Sequence, residues 1–352
     1  DTSTLTVQVQ NSASDSTTTT YTKATDITQL ASDSTVYFLQ EIENGQFEVY
    51  FGDGVNGIAL SDGNIVIAAF GGTKEKNKDV TIWLSKKGTD KWQSPKLIAD
   101  GIINDTLRYP TWNPVLYRTM SDILYLYYKV GPSPREWWGE YIFSTDQGEN
   151  WSELVRLPDS ILGPIKNKPV ELSKGIILSP SSTETKTLEK YIWKSHIEKS
   201  TDNGENWTKI PIDHNSEFNV IQPTILVHSK DTIQVLNRSR ENKIISSFSY
   251  DSGESWTDLE PLELNNPNSG VDGVTLKNGR HLLVYNPNIN GRSKLVLSES
   301  DDGINWTDKL ILEDEETGEF SYPAIIEASD GLVHISYTFN RRNIKHVVIE
   351  VN

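Results

Sequence analysis

Apolar and polar residues follow one another along this chain in short runs that predict β-strands rather than helices. From residue 57 onward, a unit recurs in which an apolar run, a short polar turn and a second apolar run follow one another. Turns such as Asp62-Gly63 and Asp330-Gly331 separate the runs, and such pairs are typical of tight turns between strands. The unit occurs six times, at Gly57 to Phe70, Asn113 to Lys129, Lys168 to Ser181, Gln222 to Arg238, Val271 to Asn286, and Tyr322 to Tyr337. Six copies predict six similar sheets.

A second pattern repeats independently of the first. Ser144, Asp146, Gly148 and Trp151 stand at fixed spacing, and the same spacing returns from Ser200 to Trp207 and from Ser249 to Trp256. Fourth and fifth copies are less regular: one has Asp301, Gly303 and Trp306 with Glu299 in place of the serine, and a worn copy ends at Trp92. An aspartate that bonds backbone N–H groups and a glycine with positive φ make a tight turn, so we expect a structural role for these residues.

This S-x-D-x-G-x-x-W pattern resembles the aspartate box of the sialidase (neuraminidase) superfamily. The resemblance implies an all-β fold, a six-bladed β-propeller. We predict that the propeller spans residues 36–352 and follows a polar lead-in at residues 1–35. Four further stretches resemble a sialidase-like subgroup of unassigned substrate: Trp112-Asn113-Pro114, Gly163 to Pro169, Ser179 to Glu184, and Asn266 to Gly270.

The first 66 residues carry their own signals. The lead-in is rich in Ser, Thr and Asp, with one strand expected at Leu5 to Val9. Strand-like runs at Val36 to Ile42 and Phe47 to Phe51 surround Asn44-Gly45, and we expect them to close the ring by pairing with the last blade. The stretch from Thr35 to Val66 also resembles a segment of the baseplate wedge proteins of contractile-tailed phages.

Composition excludes several classes of function. The chain has no cysteine and a net charge of −16, which rules out thiol chemistry and argues against nucleic acid as a partner. No apolar run of about 18 residues exists, so no membrane insertion is expected. The six histidines lack metal-ligand spacing, and we expect no metal and no cofactor. With no signal peptide visible, the sequence reads as a mature or trimmed form, secreted or periplasmic, or alternatively part of a phage virion. Nothing indicates an oligomeric state.

In a propeller, the first strand of each blade lines the axis, so the start of that strand and the end of the second face one central mouth. A single set of side chains is therefore expected there: Asp53, Glu75, Asp79, Trp112, Asn113, Lys129, Lys166, Asn167, Lys168, Glu184, Gln222, Arg238, Arg240, Asp272, Asn286, Arg292 and Tyr322. Trp137 and Trp138 either form a wall on which a sugar ring stacks or anchor their loop.

The sialidase resemblance implies roles for some of these residues. Arg238 and Arg292 stand where the superfamily has its second and third carboxylate-binding arginines, and Tyr322 stands where it has its nucleophile. Glu75 and Asp79 are the two candidates for the acid/base. A carboxylate is best held by guanidinium groups, and a tyrosine needs a neighbouring base to attack at neutral pH.

Two positions depart from the superfamily pattern. Asp53 occupies the place of the first arginine, and no arginine precedes Arg108. Gln222 occupies the place of the glutamate that activates the tyrosine, and an amide cannot take up a proton. Lys166 or Lys168 could replace the missing cation. The subgroup also usually has a histidine where this chain has Gly52-Asp53-Gly54.

Three functions follow from this pattern. The first is a sialidase-like glycoside hydrolase that removes a terminal acidic sugar from a glycan, with Arg238, Arg292, Arg240, Gln222, Lys166, Lys168, Asp272, Asn113, Trp112, Trp137, Trp138 and Asp53 as binding residues. The second is a lyase or dehydratase acting on uronates, in which Tyr322 and Lys166 or Lys168 move a proton. The third is a glycan-binding propeller without catalysis, as Asp53 and Gln222 suggest.

Overall fold

Strand-forming runs of the sequence become strands throughout the computed structural model of this chain. Backbone is described for residues 7–12, 15–23, 36–43, 46–50 and 53–351, apart from 88–91, 189, 213–216 and 342, and side chains are described from residue 56. Within these ranges every regular element is a β-strand, so none offers a helix that could span a membrane. The prediction of an all-β six-bladed propeller is confirmed.

Blades one to three follow one another along the chain, each an antiparallel sheet of four strands in sequence order. Blade one contains β5 (Asp53–Ala59), β6 (Ile65–Gly71), β7 (Thr81–Lys87) and β8 (Lys96–Ala99). A two-stranded ribbon follows, β9 (Ile102–Asn104) and β10 (Leu107–Arg108). Blade two contains β11 (Thr111–Arg118), β12 (Leu124–Val130), β13 (Trp138–Ser144) and β14 (Val155–Arg156). Blade three contains β15 (Val170–Ser173), β16 (Ile176–Lys186), β17 (Tyr191–Ser200) and β18 (Thr208–Pro211).

Blades four to six complete the ring. Blade four contains β19 (Val220–Val227), β20 (Ile233–Ser239), β21 (Lys243–Ser249) and β22 (Glu260–Asn265). Blade five contains β23 (Asp272–Thr275), β24 (His281–Tyr285), β25 (Lys294–Ser300) and β26 (Thr307–Asp314). Blade six has three described strands, β27 (Phe320–Glu327), β28 (Val333–Phe339) and β29 (Asn343–Ile349).

Apolar side chains fill the spaces between neighbouring blades. Both faces of a blade pack against other blades, which explains why strands such as β19 and β27 are buried along most of their length. Six clusters of buried residues result, each joining two adjacent blades. The cluster of Ile65, Ile67, Ile326 and Ala328 joins blade six to blade one. Packing at this seam closes the ring.

The strands expected to close the ring lie in a different sheet. β1 (Val7–Ser12), β2 (Asp15–Lys23), β3 (Val36–Glu43) and β4 (Gln46–Tyr50) form a four-stranded sheet of their own. β3 pairs with β4 and, in parallel, with β2, so the backbone hydrogen bonds of this hairpin are made within the sheet rather than with blade six. Two strands replace the one expected in the lead-in. The proposed boundary between lead-in and propeller at residue 36 stays a prediction.

The repeated aspartate turns share one hydrogen-bond scheme. In the first, Ser144 Oγ donates to Asp146 Oδ1 at 2.8 Å, and Asp146 accepts from the backbone N–H of Asn150 at 2.9 Å. Trp151 Nε1 donates to the carbonyl oxygen of Gly148 at 3.1 Å. The turns that begin at Ser200 and Ser249 repeat the contacts of the serine and aspartate. These aspartates hold hairpins together, as the pattern predicted.

The fourth copy uses different residues from those that the pattern selects. Ser300 Oγ donates to Asp302 Oδ1 at 3.0 Å, and Asp302 accepts from the backbone N–H of Asn305 at 2.7 Å. Asp301 was therefore the wrong choice of aspartate, and Glu299 does not replace the serine. Asp302 and Gly303 are adjacent, whereas one residue separates Asp146 from Gly148 in the first turn. The fourth turn is thus one residue shorter and still makes the same contacts between serine, aspartate and backbone. The worn copy before Trp92 falls partly outside the described residues.

Candidate functional site

The connections between second and third strands all lie at the same end of the ring, because every blade has the same strand order and direction. Each connection, or the strand end beside it, places a polar or aromatic residue at this mouth: Glu75, Arg135, Tyr191, Arg240, Arg292 and Arg341. Together with Arg238, half of the ten arginines of the chain lie here. In a protein with a net charge of −16, the mouth is thus a locally cationic region.

Four residues in equivalent places around the mouth have left-handed backbone conformation. Asn113, Lys166, Gln222 and Tyr322 have φ of 43°, 71°, 55° and 51°. Three of these are followed by proline, and strand pairing shifts register at the same three points. Positive φ is unfavourable for residues other than glycine, and such strain concentrates at functional sites. Asn113, Gln222 and Tyr322 therefore lie at bulges in the first strands of their blades, and Lys166 has the same backbone conformation just before β15.

Two arginines and a tyrosine form the centre of the mouth. Tyr322 lies close enough to Arg238 to act on the pKa of its guanidinium group, and the Cζ atom of Arg292 lies 5.5 Å from the centroid of the Tyr322 ring. Asn268 ties the arginines together: its Oδ1 accepts from Arg238 Nε at 2.7 Å and its carbonyl oxygen accepts from Arg292 Nη2 at 3.2 Å. Burial lowers the pKa of Arg238, and Tyr322 opposes that effect. The structure therefore brings together the three residues that the resemblance singled out.

Gln222 lies directly beside this centre. Its Oε1 accepts a hydrogen bond from Arg238 Nη1 at 3.2 Å, and its side chain is buried. Glu184 of β16 pairs across its hairpin with Trp193, whose ring centroid lies 5.7 Å from Arg238 Cζ, and the charge of Glu184 opposes the lowering of the pKa of Arg238. Glu184 is half-buried and belongs to the neighbouring blade. The amide of Gln222 thus orients Arg238, whereas Glu184 can take up a proton.

Lys166 and Lys168 lie beneath the pocket and are occupied by internal contacts. Lys166 Nζ donates to Asn167 Oδ1 and to the carbonyl oxygens of Val271 and Pro323, each at 2.8 Å. Burial lowers the pKa of Lys166 to about 7, yet three acceptors match the three donors of an ammonium group. The contact with Pro323 anchors the backbone next to Tyr322.

Lys168 forms a short ion pair with buried Asp272. The same carboxylate accepts from Thr224 Oγ1 and from the backbone N–H of Ile325, both at 2.9 Å. Asp272 therefore links blades three, four, five and six under the pocket floor. Buried charges need such partners, and this set of contacts supplies them.

An acidic and basic cluster occupies the side of the mouth formed by blades one and six. Glu319 Oε1 accepts from Arg292 Nη1 at 3.1 Å, and Glu319 Oε2 accepts from Arg341 Nε at 2.7 Å. Arg341 Nη1 also lies 3.6 Å from Glu75 Oε2. Burial alone would raise the pKa of Glu319, but hydrogen bonding and charge from Arg341, with the charge of Arg292, hold it below its usual value.

The two acid/base candidates have different environments. Asp79 accepts from the backbone N–H and the hydroxyl of Thr73, at 2.9 and 3.0 Å, so its carboxylate holds the shape of the loop. Glu75 instead reaches Arg341 in the cationic cluster. Both catalytic roles stay predictions, and the contacts favour Glu75.

The two neighbouring tryptophans of blade two, Trp137 and Trp138, have different environments. Trp138 packs into the core between blades one and two, and its Nε1 donates to Glu140 Oε1 at 2.6 Å. Trp137 makes an edge contact with Trp112 at 6.0 Å between ring centroids. Trp112 is buried and its Nε1 donates to Gly131 O at 2.8 Å. Trp138 thus anchors its loop, one of the two roles expected, whereas Trp137 is half-buried against Trp112 in the connection between β12 and β13.

Sequence reasoning missed several residues of the mouth. Arg341 lies two residues after the end of β28, so the rule that the end of each second strand faces the mouth could have found it. The stretch Asn266 to Gly270 stood out in the sequence, but nothing in it indicated that Asn268 would link Arg238 and Arg292. No sequence signal indicates Trp193 of blade three, whose ring lies beside Arg238 and Arg240 of blade four. Asp53 lies at the start of β5, but its side chain falls outside the described ones, and its role stays a prediction. Among the described residues, no cluster of three or more metal-binding side chains occurs.

Comparison with known proteins gives relatives of two kinds. Residues 63–335 match the BNR repeat-like domain, and residues 2–84 match the third domain of the bacteriophage baseplate wedge protein gp6. A sialidase of Paraclostridium sordellii is 29% identical over 42% of this chain and 41% of its own length. An anhydrosialidase of Macrobdella decora is 24% identical over 55% of this chain and 28% of its own length. The chain thus spans less than half of either relative.

Solved structures agree on the fold. A mutant of the NanB sialidase from Streptococcus pneumoniae superposes with a TM-score of 0.66 and 13% identity, over 85% of this chain and 68% of the other. The BNR match extends over most of the propeller, from the first turn of blade one to the second strand of blade six. This chain therefore belongs to the BNR repeat-like domain family and has the six-bladed propeller of the sialidase superfamily.

Proposed function

We propose that this protein is a sialidase-like glycoside hydrolase that releases a terminal acidic sugar from a glycan. One observation carries the proposal: Asn268 holds Arg238 and Arg292 together beside Tyr322. Two guanidinium groups at this spacing suit a carboxylate, which prefers bidentate, charge-assisted hydrogen bonds. We expect the tyrosine hydroxyl at the same point to attack the anomeric carbon beside that carboxylate.

Arg341 supplies the third cation of the proposed carboxylate site. It approaches from blade six, where the superfamily uses an arginine from blade one. Glu319 spaces Arg292 and Arg341 on its two carboxylate oxygens, so both guanidinium groups lie on the same side of the pocket. A carboxylate that enters between them would compete with Glu75 for Arg341. Glu75 would then be available to exchange a proton.

The proposed reaction has two steps. In the first, Tyr322 Oη bonds to the anomeric carbon as the bond to the leaving oxygen breaks; Glu184 takes the phenolic proton, and Glu75 donates a proton to the leaving oxygen. In the second, Glu75 removes a proton from water, the water oxygen replaces the tyrosine, and Tyr322 regains its proton from Glu184. General acid–base help of this kind contributes roughly 10²- to 10⁴-fold in rate.

Two alternatives have different support. The lyase hypothesis needs Lys166 or Lys168 as a base, but Lys166 Nζ has three internal acceptors and Lys168 is paired with Asp272. A binding function without catalysis is favoured by Gln222, which holds Arg238 and cannot take up a proton. The binding hypothesis is therefore the second candidate.

The deciding experiment is incubation with sialylated and uronate-containing oligosaccharides, followed by mass spectrometry of the products. Fragments that sum to substrate plus one water would establish hydrolysis, and fragments without added water would establish elimination. Binding without any product would support the second candidate. Tyr322→Phe, run in parallel, separates enzymatic turnover from contaminating activity.

We also propose that the protein acts outside the cell, either exported or carried by a phage particle. The match of residues 2–84 to a baseplate wedge domain supports the particle. Immunoblotting of culture supernatant and of purified particles tests the two locations. Detection in neither fraction would contradict both.

A further inference from the structure

The hairpin of β16 and β17 projects from blade three at the mouth. These strands have 11 and 10 residues, whereas the equivalent strands of blade four have seven each. Within blade three, Ser181 to Lys186 pair only with Tyr191 to His196, because β15 reaches no further along β16 than Leu178. Three or four extra residues per strand extend the hairpin by roughly 10 to 13 Å.

One face of this hairpin carries two aromatic rings. Trp193 lies opposite Glu184 and Tyr191 lies opposite Lys186, and directly opposed residues share a face of a sheet. Arginines from both neighbouring blades pack against these two rings. Arg240 of blade four lies with its Cζ atom 3.8 Å from the centroid of Trp193, and Arg135 of blade two lies 4.6 Å from the centroid of Tyr191.

Ring stacking and one hydrogen bond orient these two arginines. Arg240 Nη1 donates to the carbonyl oxygen of Tyr191 at 3.0 Å, and both guanidinium groups lie over aromatic faces. In the described part of the chain, neither forms an ion pair with a carboxylate, although acidic residues outnumber basic ones by 49 to 33. Both side chains are exposed. Stacking orients a guanidinium group and leaves its N–H edge available to an anion.

These residues continue directly from the pocket. Trp193 also lies 5.7 Å from the Cζ atom of Arg238, so its ring connects the pocket arginine with Arg240. Going outward, the row consists of Arg238, Trp193, Arg240, Tyr191 and Arg135. A chain of sugars whose terminal unit occupies the pocket would extend along this row. Glu184 lies opposite Trp193 on the same face of the hairpin, at the end of the row nearest the pocket.

We propose that Arg240 and Arg135 form a second anion subsite, which binds an acidic group on the sugar next to the terminal one. The inference rests on the proposed function and sharpens it, because the preferred substrate then carries two adjacent acidic sugars. Each charge-assisted hydrogen bond to an exposed arginine should strengthen binding by about threefold to tenfold. The effect should weaken as salt is added.

The test compares three disaccharides with the same terminal acidic sugar and a carboxylated, a sulfated or a neutral second sugar. Binding is measured by calorimetry in the Tyr322→Phe background, so that the ligand is not consumed. We expect the two anionic ligands to bind about tenfold more tightly than the neutral one. Arg135→Gln and Arg240→Gln should each reduce this ratio, and the double variant should bring it close to one.

Arg156→Gln is the matched control, since Arg156 is also exposed and also stacks on an aromatic ring, that of Trp138 at 4.8 Å in blade two, but it is not part of the row. It should leave the ratio unchanged. Equal binding of all three ligands by the unaltered subsite would overturn the inference alone. Binding of none of them would overturn the inference together with the proposed function. A preference for only the carboxylated or only the sulfated ligand would identify the acidic group that the subsite takes.

Discussion

The two ends of the ring differ in how closely their connections repeat from blade to blade. At the end opposite the mouth, four aspartate turns repeat one hydrogen-bond scheme, and each carboxylate is satisfied within its own turn. At the mouth, equivalent connections hold different residues, their charges reach across blades, and two arginines have no acidic partner among the described residues. Similar turns build the scaffold, and the proposed function belongs to the end where the repeat breaks.

Substitutions at the mouth should lower activity, whereas those at the opposite end should not. The largest such effect is expected for Tyr322→Phe. Removing the nucleophilic oxygen should lower the hydrolysis rate by at least about 10²- to 10⁴-fold, while the free energy of unfolding stays nearly constant. Tyr250→Phe, on an exposed ring in the third aspartate turn, is the control and should keep full activity. An active Tyr322→Phe enzyme would contradict the assigned role.

Arg341→Gln should have the next largest effect. Loss of a charged hydrogen-bond donor to the substrate carboxylate should raise KM roughly 10- to 100-fold. Arg118→Gln is the matched control, because Arg118 pairs with Asp122 inside blade two at 3.0 Å. If thermal stability falls but KM does not change, Arg341 only joins blades one and six.

Lowering the pH should destabilise the protein through two histidine pairs on the side of the ring opposite the mouth. Burial lowers the pKa of His281, beside His228, and of His346, beside His334, to about 4 in each case. The unfolded chain then binds more protons between pH 6.5 and 4, so stability is complete above pH 6.5 and declines as the pH falls towards 4. We expect a loss of about 1 to 2 kcal/mol, after allowing for solvent screening.

Urea denaturation at pH 7, 5.5 and 4 measures this loss. His281→Gln and His346→Gln should each flatten the dependence on pH. A free energy of unfolding that is constant from pH 7 to 4 would exclude the histidine pairs as its cause.

The smallest expected effect concerns Asp301 and Asp302, which are neighbours in the fourth aspartate turn. Comparing them tests which aspartate holds that turn. Asp302→Ala removes the acceptor for the backbone N–H groups of Ile304 and Asn305 and should cost about 1 to 2 kcal/mol of stability. Asp301→Ala should change stability by less than about 0.5 kcal/mol, because its side chain is exposed. Equal effects in chemical denaturation would reject the assignment of the turn. Neither variant should alter KM.

Local signals in the sequence predicted the scaffold because each aspartate turn is held by residues within eight positions of one another. The same signals failed at Asp301, where one deletion shifts the turn. The pocket depends on contacts between blades, such as Asn268 with Arg238 and Arg341 with Glu75. Sequence pattern could place Arg238, Arg292 and Tyr322 at one mouth, but it could not choose between Trp137 and Trp138 or detect the projecting hairpin.

The left-handed residues around the mouth set a rule for engineering new specificities into this protein. At Asn113, Lys166, Gln222 and Tyr322, a randomised library should retain asparagine, aspartate and glycine far more often than valine or isoleucine, whatever ligand is selected. Variation that ignores this filter is expected to destabilise the ring by about 1 to 3 kcal/mol at each position. Diversity placed instead at Arg135, Arg240 and the tip of the projecting hairpin would explore new ligands without disturbing the backbone of the ring.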